Sequence, residues 1–417
     1  MNQNYDAIVI GCGPAGAACS TILASKGRRV LVLEREKFPR YHIGESLIPY
    51  TYFPLERLGL IPVMKASHFP KKYSVQFVNP SGRVSEPFYF FQHLKHEAAC
   101  TWQVLRSEFD QMLMDNARAS GAEIREQTTA RELLRADGRV TGVRAVGPDG
   151  QPADYHAPFT IDATGRDAFA VSRNGWKVRD PYLNKIAIWT YYQGAMRDPG
   201  LDEGATTVAY VEEKGWFWYI PLPDDVVSVG IVAEKDYLYK GTRDLEEIFN
   251  REVGRNAWIG KHLAPGRRTE PFRVTGEFSY RSQYCAEDGL VLIGDAFAFL
   301  DPVFSSGVFL ALRSGELAAG VIDEALAAKD VSAARFDGYS NEMRQGIEAM
   351  RRLVYAFYDH NFSFGAVIRE HPHLAGDLTD CLIGNLLIDF EPLFEAVGRF
   401  ARVPAPLEYG TPLPAVR

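Results

Sequence analysis

The residues with the clearest chemical potential are three glycines near the N-terminus, spaced as G-x-G-x-x-G. Gly11 permits a tight turn, Gly13 lets the backbone approach a pyrophosphate, and Gly16 lets a helix pack closely on a strand. The helix that begins here, with Pro14 and Ala15 in its first turn, directs N-terminal amides at phosphate groups. These five residues are therefore predicted to bind the pyrophosphate of a dinucleotide.

The elements around the glycines complete a strand–helix–strand unit. A buried strand is expected over Ala7–Ile10, a helix of small residues through Lys26, and a second strand over Val30–Leu33. Glu34 follows that strand, where a carboxylate can bind ribose hydroxyls and disfavours a 2′-phosphate. We expect FAD or NAD rather than NADP, with Arg35 as a further contact.

A second part of the same site is predicted from the other half of the chain. A strand expected over Leu290–Ile293 runs into Gly294-Asp295-Ala296, and a long helix is expected to begin after Ser305-Ser306-Gly307. A flavoenzyme uses such a turn to hold the ribityl chain and such a helix N-terminus near the isoalloxazine. The turn alone is also typical of any strand end. Combined with the N-terminal glycines, it predicts one FAD site that includes Asp295, Pro302, Gly307 and Val308.

Length and composition exclude several other functions. The chain has 417 residues and a net charge of −7, from 46 Lys and Arg against 53 Asp and Glu, which argues against nucleic-acid binding. Five cysteines without a C-x-x-C pair and nine histidines without a ligand pattern indicate neither a disulfide framework nor a metal. No apolar run approaches about 18 residues, so we expect no membrane span and a cytoplasmic protein.

Several segments together resemble one known family. The glycine turn, the Asp162–Gly165 turn and Gly294–Ala296 resemble FAD-dependent monooxygenases with the hydroxybenzoate-hydroxylase-like fold. Three further segments are similar to the flavin-dependent halogenase branch of that superfamily: Phe38–Pro49, Gly215–Pro221 with its W-x-W-x-I-P element, and Asp301–Val308. The resemblance covers about residues 5–360. It is strongest to the subgroup that acts on pyrrole or phenol rings, often while these are tethered to a carrier protein.

The resemblance implies a mechanism and two partners. A separate flavin reductase would supply FADH2, oxygen would react with it, and bound chloride or bromide would be oxidised to hypohalous acid. A lysine would then relay this oxidant to the ring, and Lys72 best fits the family's lysine position, although Ser74 stands where relatives usually have glycine. The alternative from sequence alone is that Lys71 and Lys72 start a strand and both face solvent.

The resemblance also implies roles for residues around the flavin. Ser46 and Arg106 would contact FAD, although Arg106 alone could equally be a surface residue. Ser305, Ser306 and Gly307 would bind the halide at the helix N-terminus, with simple serine capping of the helix as the alternative.

Three aromatic residues are predicted to shape the substrate side. Trp216 and Trp218 alternate along a strand, so both rings point to one face, where they would contribute to core packing. The resemblance implies in addition that these rings keep the organic substrate away from the flavin. Phe304 stands where tryptophan halogenases carry a glutamate. The resemblance therefore implies a ring that activates itself, a phenol or a pyrrole, rather than free tryptophan.

The predicted fold class is α/β with two lobes: a Rossmann-like FAD-binding lobe, an antiparallel β substrate lobe and a C-terminal helical region. The predicted boundaries are 1–70, 104–183 and 284–340 for the FAD lobe, 71–103 and 184–283 for the substrate lobe, 341–402 for a helical cap and 403–417 for an irregular tail.

Two other functions remain open at this point. One is an aromatic hydroxylase or a geranylgeranyl-reductase-like enzyme of the same fold, and the other is a flavin-binding protein without activity. If the substrate is held by an acidic carrier protein, the net charge of −7 calls for a local basic patch. Arg351-Arg352 is the candidate, against the alternative of a solvated helix face.

Overall fold

The computed structural model describes residues 5–211, 215–276, 279–359 and 362–414. Its α-helices are α1 (Pro14–Ser25), α2 (Tyr52–Arg57), α3 (Ile61–Ala66), α4 (Arg106–Ala119), α5 (Phe169–Asn174), α6 (Lys235–Leu238), α7 (Leu245–Val253), α8 (Ala257–Leu263), α9 (Gly307–Ala328), α10 (Asp337–Phe357), α11 (Phe364–Glu370), α12 (Ala375–Ile383) and α13 (Glu391–Val397). Its strands are β1 (Ala7–Ile10), β2 (Val30–Leu33), β3 (Lys71–Lys72), β4 (Ser74–Val78), β5 (Phe88–Tyr89), β6 (Thr101–Trp102), β7 (Glu123–Arg125), β8 (Thr129–Ala136), β9 (Arg139–Val146), β10 (Pro152–His156), β11 (Phe159–Asp162), β12 (Lys177–Arg179), β13 (Lys185–Gln193), β14 (Thr206–Val211), β15 (Gly215–Leu222), β16 (Val226–Glu234), β17 (Arg267–Arg268), β18 (Arg273–Gly276), β19 (Tyr280–Ser282), β20 (Tyr284–Glu287), β21 (Leu290–Leu292), β22 (Ala298–Phe299) and β23 (Thr411–Pro412).

One sheet holds the dinucleotide-binding elements together. Its strands lie in the order β23-β20-β21-β11-β1-β2-β7, and the run from β21 to β7 is parallel. Every residue of β1 and β2 is buried, as expected of apolar strands covered on both faces. The carboxyl ends of β1, β2 and β11 consequently open at one edge of the sheet, where α1 begins.

A second sheet forms the substrate side. It runs in the order β17-β13-β16-β15-β14-β4-β5, with antiparallel pairs except between β14 and β4. Side chains alternate between its faces. One face packs on α7 and α8, through residues such as Phe217 and Ile231. The other face carries Trp189, Trp216 and Trp218 and contacts the C-terminal helices. The mixed α/β fold class is confirmed.

The C-terminal region is helical, with one difference from the expected pattern. Within it, α10 ends at Phe357 and α11 begins at Phe364. The tail expected to be irregular includes the short edge strand β23, which pairs in parallel with β20. Gly410 N donates to the Gln283 carbonyl at 2.7 Å. A strand of two residues, one of them a proline, has no recognisable sequence pattern, so this contact was not predicted. No helix in the described part of the chain is long and apolar enough to cross a membrane.

Arg351 and Arg352 do not form a basic surface patch, so that prediction is wrong. Both arginine side chains, which belong to α10, are buried. The Arg351 guanidinium pairs with Glu348 and donates to the Ala405 carbonyl at 2.7 Å, and Arg352 pairs with Glu391. Buried guanidinium groups require such partners because an unpaired buried charge is costly. The alternative of a solvated helix face is equally wrong.

Candidate active site

A cavity of about 520 Å³ lies between the two sheets and is continuous from the glycine turn to the tryptophan-bearing face. At one end it is lined by the carboxyl ends of β1, β2 and β11. In the middle it is bounded by the loop 42–46 and by the first residues of α9. At the other end it is lined by β13, β14 and β15. A nucleotide at the first end would therefore share one enclosed space with a ligand at the tryptophan end.

The glycine turn has the geometry expected of a pyrophosphate cradle. Gly11 has a φ of +99°, and a Cβ there would lie 2.5 Å from the Ala163 carbonyl oxygen. A Cβ on Gly16 would lie 2.0 Å from the Gly11 carbonyl oxygen, so Gly16 permits close packing and does not itself line the cavity. Gly13, Pro14 and Ala15 line it together with Gly11. No side chain caps the start of α1, which leaves its amides available to an anion.

Glu34 is held in place by backbone amides and lines the cavity. Its Oε2 accepts from Cys12 N at 2.8 Å and its Oε1 accepts from Glu36 N at 2.9 Å. A carboxylate has about four acceptor positions, so two remain for ribose hydroxyls. Arg35, which also lines the cavity, is half-exposed and pairs with Asp167.

Arg106 is buried, which rules out the surface interpretation. Its guanidinium forms a two-point pair with Asp110 at 2.8 and 2.9 Å and donates to the Ile43 carbonyl at 2.8 Å. It lines the cavity and therefore also braces the loop 42–46. Asp295 lines the cavity nearby. Burial raises the pKa of Asp295 to about 6, while Arg166 and Arg106 act in the opposite direction.

The start of α9 presents backbone amides to the cavity. Ser305 has a φ of +57°, and Ser306 occupies the N-cap position without a side-chain capping hydrogen bond. Serine capping, the simpler alternative, is therefore not what this helix uses. Both serines line the cavity together with Pro302, Gly307 and Val308. Uncapped amides at the positive end of a helix dipole favour an anion.

Lys72 is buried, whereas its neighbour Lys71 faces solvent. Lys72 is 1% exposed, and its Nζ donates to Ser46 Oγ at 2.8 Å and to the Leu47 carbonyl at 3.0 Å. The Phe90 ring centroid lies 5.6 Å from Nζ. Burial lowers the pKa of Lys72 to about 7, because an ammonium loses its hydration there. The interpretation that both lysines face solvent is wrong for Lys72.

Ser46 stands between Lys72 and the cavity. Lys72 does not line the cavity, but Ser46 and Thr206 do. Ser46 Oγ accepts from Lys72 and lies 2.8 Å from Thr206 Oγ1, which also accepts from Gln103 Nε2 at 2.9 Å. The amine therefore reaches the cavity through two hydroxyl groups, which the sequence pattern did not indicate.

Trp216 and Trp218 lie on the same face of β15, as the alternation implies, and both line the cavity. Their ring centroids are 6.2 Å apart, and Trp189 lies 6.3 Å from Trp218. Phe304 is placed differently from the prediction. Its ring packs edge-on against Phe357 at 5.7 Å and does not line the cavity, because the turn before α9 directs it at the helical region.

Hydrogen bonds through Tyr358 and Asp301 link Trp216 to the turn before α9. Trp216 Nε1 donates to Tyr358 Oη at 2.8 Å, and Tyr358 Oη donates to Asp301 Oδ2 at 2.8 Å. Asp301 Oδ1 accepts from Val303 N at 3.2 Å in that turn. Tyr358 was not among the predicted site residues, because it belongs to no motif and lies 142 residues from Trp216.

These residues fit FAD. The glycine cradle leaves no room for a Cβ at Gly11 or Gly16, Glu34 keeps free acceptor positions, and the uncapped start of α9 offers amides farther along the same cavity. A parallel sheet with this cradle, joined to a tryptophan-walled cavity, defines a flavin-dependent enzyme of two lobes.

Comparison with known proteins narrows this class. The chain matches the family described as "Tryptophan halogenase" over residues 6–100 and 89–364. It is 32% identical to the 1H-pyrrole-2-carbonyl-[peptidyl-carrier protein] brominase of Pseudoalteromonas luteoviolacea over 93% of this chain and 94% of that protein. It is 28% identical to the corresponding chlorinase of Pseudomonas fluorescens (strain Pf-5) over 92% and 90%. The solved structure of the flavin-dependent brominase Bmp2 matches with a TM-score of 0.86, at 29% identity over 95% of this chain and 97% of that chain.

The chain belongs to the flavin-dependent halogenase family. It is an enzyme whose cofactors are FAD and a halide ion. The hydroxylase, the reductase-like enzyme and the inactive flavoprotein are thereby set aside.

Proposed function

We propose that this enzyme halogenates a pyrrole-2-carbonyl group held by a peptidyl carrier protein. The observation that carries the proposal is the single cavity that joins the FAD cradle to the tryptophan-bearing sheet, with a buried lysine next to it. Two relatives that align over nine-tenths of both chains bear names for this substrate. Phe304, where the glutamate of tryptophan halogenases would stand, supports an electron-rich ring that needs less assistance.

The predicted residues at the glycine turn and at the start of α9 receive roles in this proposal. Reduced FAD, when bound, supplies the electrons that activate oxygen for oxidation of the halide. FAD would be held by Gly11, Gly13, Pro14, Ala15, Glu34 and Asp295, which line the cavity, while Gly16 would allow the close packing behind them. The amides of Ser305–Gly307 would hold the halide, because an uncapped helix start favours an anion.

Lys72 would guide hypohalous acid toward the ring, and the contacts of its amine support an action through Ser46. A neutral amine accepts a proton or attacks an electrophile, whereas an ammonium only donates hydrogen bonds. With a pKa of about 7, Lys72 populates both forms at neutral pH. Ser46 and Thr206 would pass its hydrogen bonds to the cavity.

Trp216 and Trp218 would keep the ring away from the flavin. Their indoles fill the sheet face of the cavity, and a hydrogen bond to Tyr358 or to Ser228 fixes each of them. A substrate attached to a carrier would then reach only the sheet end, while a small oxidant passes between them.

A separate flavin reductase and a cytoplasmic location complete the proposal. The sequence contains one G-x-G-x-x-G pattern, which FAD occupies in this scheme, so a second nucleotide site for NAD(P)H is not indicated. All five cysteines are free thiols, which suits a reducing compartment.

The test is reconstitution with purified components. The enzyme, a flavin reductase, NADH, oxygen and chloride or bromide are incubated with a pyrrole-2-carbonyl carrier protein, with free pyrrole-2-carboxylate or with tryptophan. Intact-protein mass spectrometry of the carrier is expected to show halogen incorporation that requires both halide and reductase. Halogenation of only the free acids would refute carrier specificity, and hydroxylation with or without halide would refute the proposed function.

A further inference from the structure

A chain of hydrogen bonds runs from the tryptophan-bearing sheet to Glu45. Trp189 Nε1 donates to Tyr41 Oη at 2.7 Å, Tyr41 Oη lies 2.9 Å from Tyr191 Oη, and Tyr191 Oη donates to Glu45 Oε1 at 2.7 Å. Glu45 belongs to the loop 42–46 and lines the cavity beside Ser46. None of these four side chains has a role in the proposed function so far.

The direction in which these hydrogen bonds are donated is set by Trp189. An indole N–H can only donate, so Tyr41 Oη accepts from Trp189 and its own proton is directed to Tyr191. Tyr191 then donates to Glu45. In the reverse direction Tyr41 would accept two hydrogen bonds, and no described residue is placed to accept its proton. Glu45 Oε1 is therefore an acceptor in this chain.

The second oxygen of Glu45 is not engaged by the tyrosine chain and can take up a proton. Oε2 has no hydrogen-bond partner within 3.5 Å among the described residues, although the side chain is only 2% exposed, and the nearby Ser228 hydroxyl acts on the carboxyl only enough to lower its pKa. Two other buried carboxylates that line the cavity, Glu34 and Asp301, have both oxygens hydrogen-bonded. A buried carboxyl oxygen without a partner is costly unless a ligand or a proton satisfies it.

The groups that face Glu45 shift its pKa in opposite directions. Burial raises the pKa of Glu45 to about 7, while the hydroxyls of Tyr191 on β13 and Ser228 on β16, and Arg106 on α4, act in the lowering direction. Arg273 stacks 3.8 Å from the centroid of the Tyr41 ring and adds positive charge at the far side of the chain. A carboxyl in this balance exchanges protons at neutral pH, which suits general acid–base chemistry.

We propose that Glu45 accepts, at Oε2, the proton that the aromatic ring releases on halogenation. The inference rests on the proposed function. As the carbon–halogen bond forms, the halogen–oxygen bond of hypohalous acid breaks and hydroxide leaves. The ring C–H bond then breaks, its electron pair returns to the ring, and its proton forms an O–H bond at Oε2. Transfer of that proton to the hydroxide gives water and restores the carboxylate.

The test combines a pH profile with a readout that needs no flavin. In the wild type, kcat for halogenation is expected to rise with pH through about 7, since the carboxylate is the active form. Glu45→Gln is expected to lower kcat by about 100-fold and to abolish that rise, with unchanged FAD affinity. Tyr191→Phe removes one donor to the carboxylate, so the rise is expected to move upward by about one pH unit.

The second readout is infrared spectroscopy of the ligand-free protein labelled with 13C-glutamate. A protonated-carboxyl band is expected to titrate near neutral pH in the wild type, to be absent in Glu45→Gln and to titrate higher in Tyr191→Phe. If Glu45→Gln does not fold, Tyr191→Phe alone decides, because an unmoved profile and band would overturn the inference.

The failures of the inference and of the proposed function are distinguishable. Halogenation by Glu45→Gln with the wild-type rate and pH profile overturns the role of Glu45 and leaves the proposed function intact. A wild-type protein that gives no halogenated product overturns the proposed function and the ring step with it, whatever the infrared band does.

Discussion

Replacement of Lys72 by methionine is expected to stabilise the fold at neutral pH while removing the proposed relay. Methionine has a similar length and no charge, so it fills the same buried space. The folded-state pKa of Lys72 is about 7, against 10.5 for a freely hydrated lysine. The unfolded chain therefore binds more protons between these values, and folding must remove a proton or bury an ammonium.

The magnitude follows from the two pKa values. At 1.36 kcal/mol per unit, the penalty that the Lys72 side chain places on folding is about 4 kcal/mol at pH 7 and about 2 kcal/mol at pH 9. The penalty is full below pH 7 and fades as the pH approaches 10.5. The stability of the wild type relative to Lys72→Met is thus expected to rise by about 2 kcal/mol from pH 7 to pH 9. The lost hydrogen bonds to Ser46 and Leu47 cost about 1 kcal/mol each, in either protonation state of the amine.

The assay is denaturant unfolding of wild type, Lys72→Met and Lys71→Met at pH 7, 8 and 9. Lys71→Met is the matched control, because it removes an exposed positive charge from the neighbouring position of the same short strand. The expected result is a pH-dependent stability difference for Lys72→Met that exceeds the one for Lys71→Met. A difference that stays constant within about 0.5 kcal/mol from pH 7 to pH 9 would refute the argument that burial deprotonates Lys72.

Three further predictions follow from single contacts. Gly11→Ala is expected to weaken FAD binding by about 100-fold, measured by flavin fluorescence, since its Cβ would meet backbone at 2.5 Å; Gly27→Ala, also at positive φ but with open space around it, should bind FAD normally. Tyr358→Phe is expected to lower the free energy of unfolding by about 1–3 kcal/mol, because it leaves a buried oxygen of Asp301 unpaired; a loss below about 0.5 kcal/mol would contradict this. Arg351→Ala is expected to lower the free energy of unfolding by about 3–5 kcal/mol without altering the salt dependence of carrier binding, whereas a docking role would alter that dependence.

The glycine end of the cavity was predictable because its determinants are local. A tight turn, a close helix–strand contact and a carboxylate after the next strand all lie within residues 7–34, and each needs a particular residue type. The structure accordingly places Gly11, Gly13 and Glu34 at one end of the cavity. The alternation of Trp216 and Trp218 was predictable for the same reason, since a strand has a fixed period.

The partners of buried polar groups were not predictable, because they come from distant segments. Tyr191 lies 146 residues from Glu45, and Glu391 lies 39 residues from Arg352. Nothing in the local pattern of α10 distinguishes a buried arginine with a partner from a solvated one. The error over the basic patch and the omission of Glu45 thus share one cause, which is that the tertiary fold alone decides where a charge is paired.

The loop 42–46 connects both halves of the proposed chemistry. Successive residues of an extended segment point in opposite directions, so Glu45 meets Tyr191 while Ser46 meets Lys72. Burial lowers the pKa of Lys72 and raises that of Glu45, in both cases to about 7. The low-polarity surroundings therefore disfavour both charges, and near neutral pH each group can hold or release a proton at little cost. In the proposed reaction, the cavity must guide an electrophile and also accept a ring proton at the same pH. Glu45 would accept the proton, and its neighbour Ser46 connects the cavity to Lys72, so one loop serves both steps.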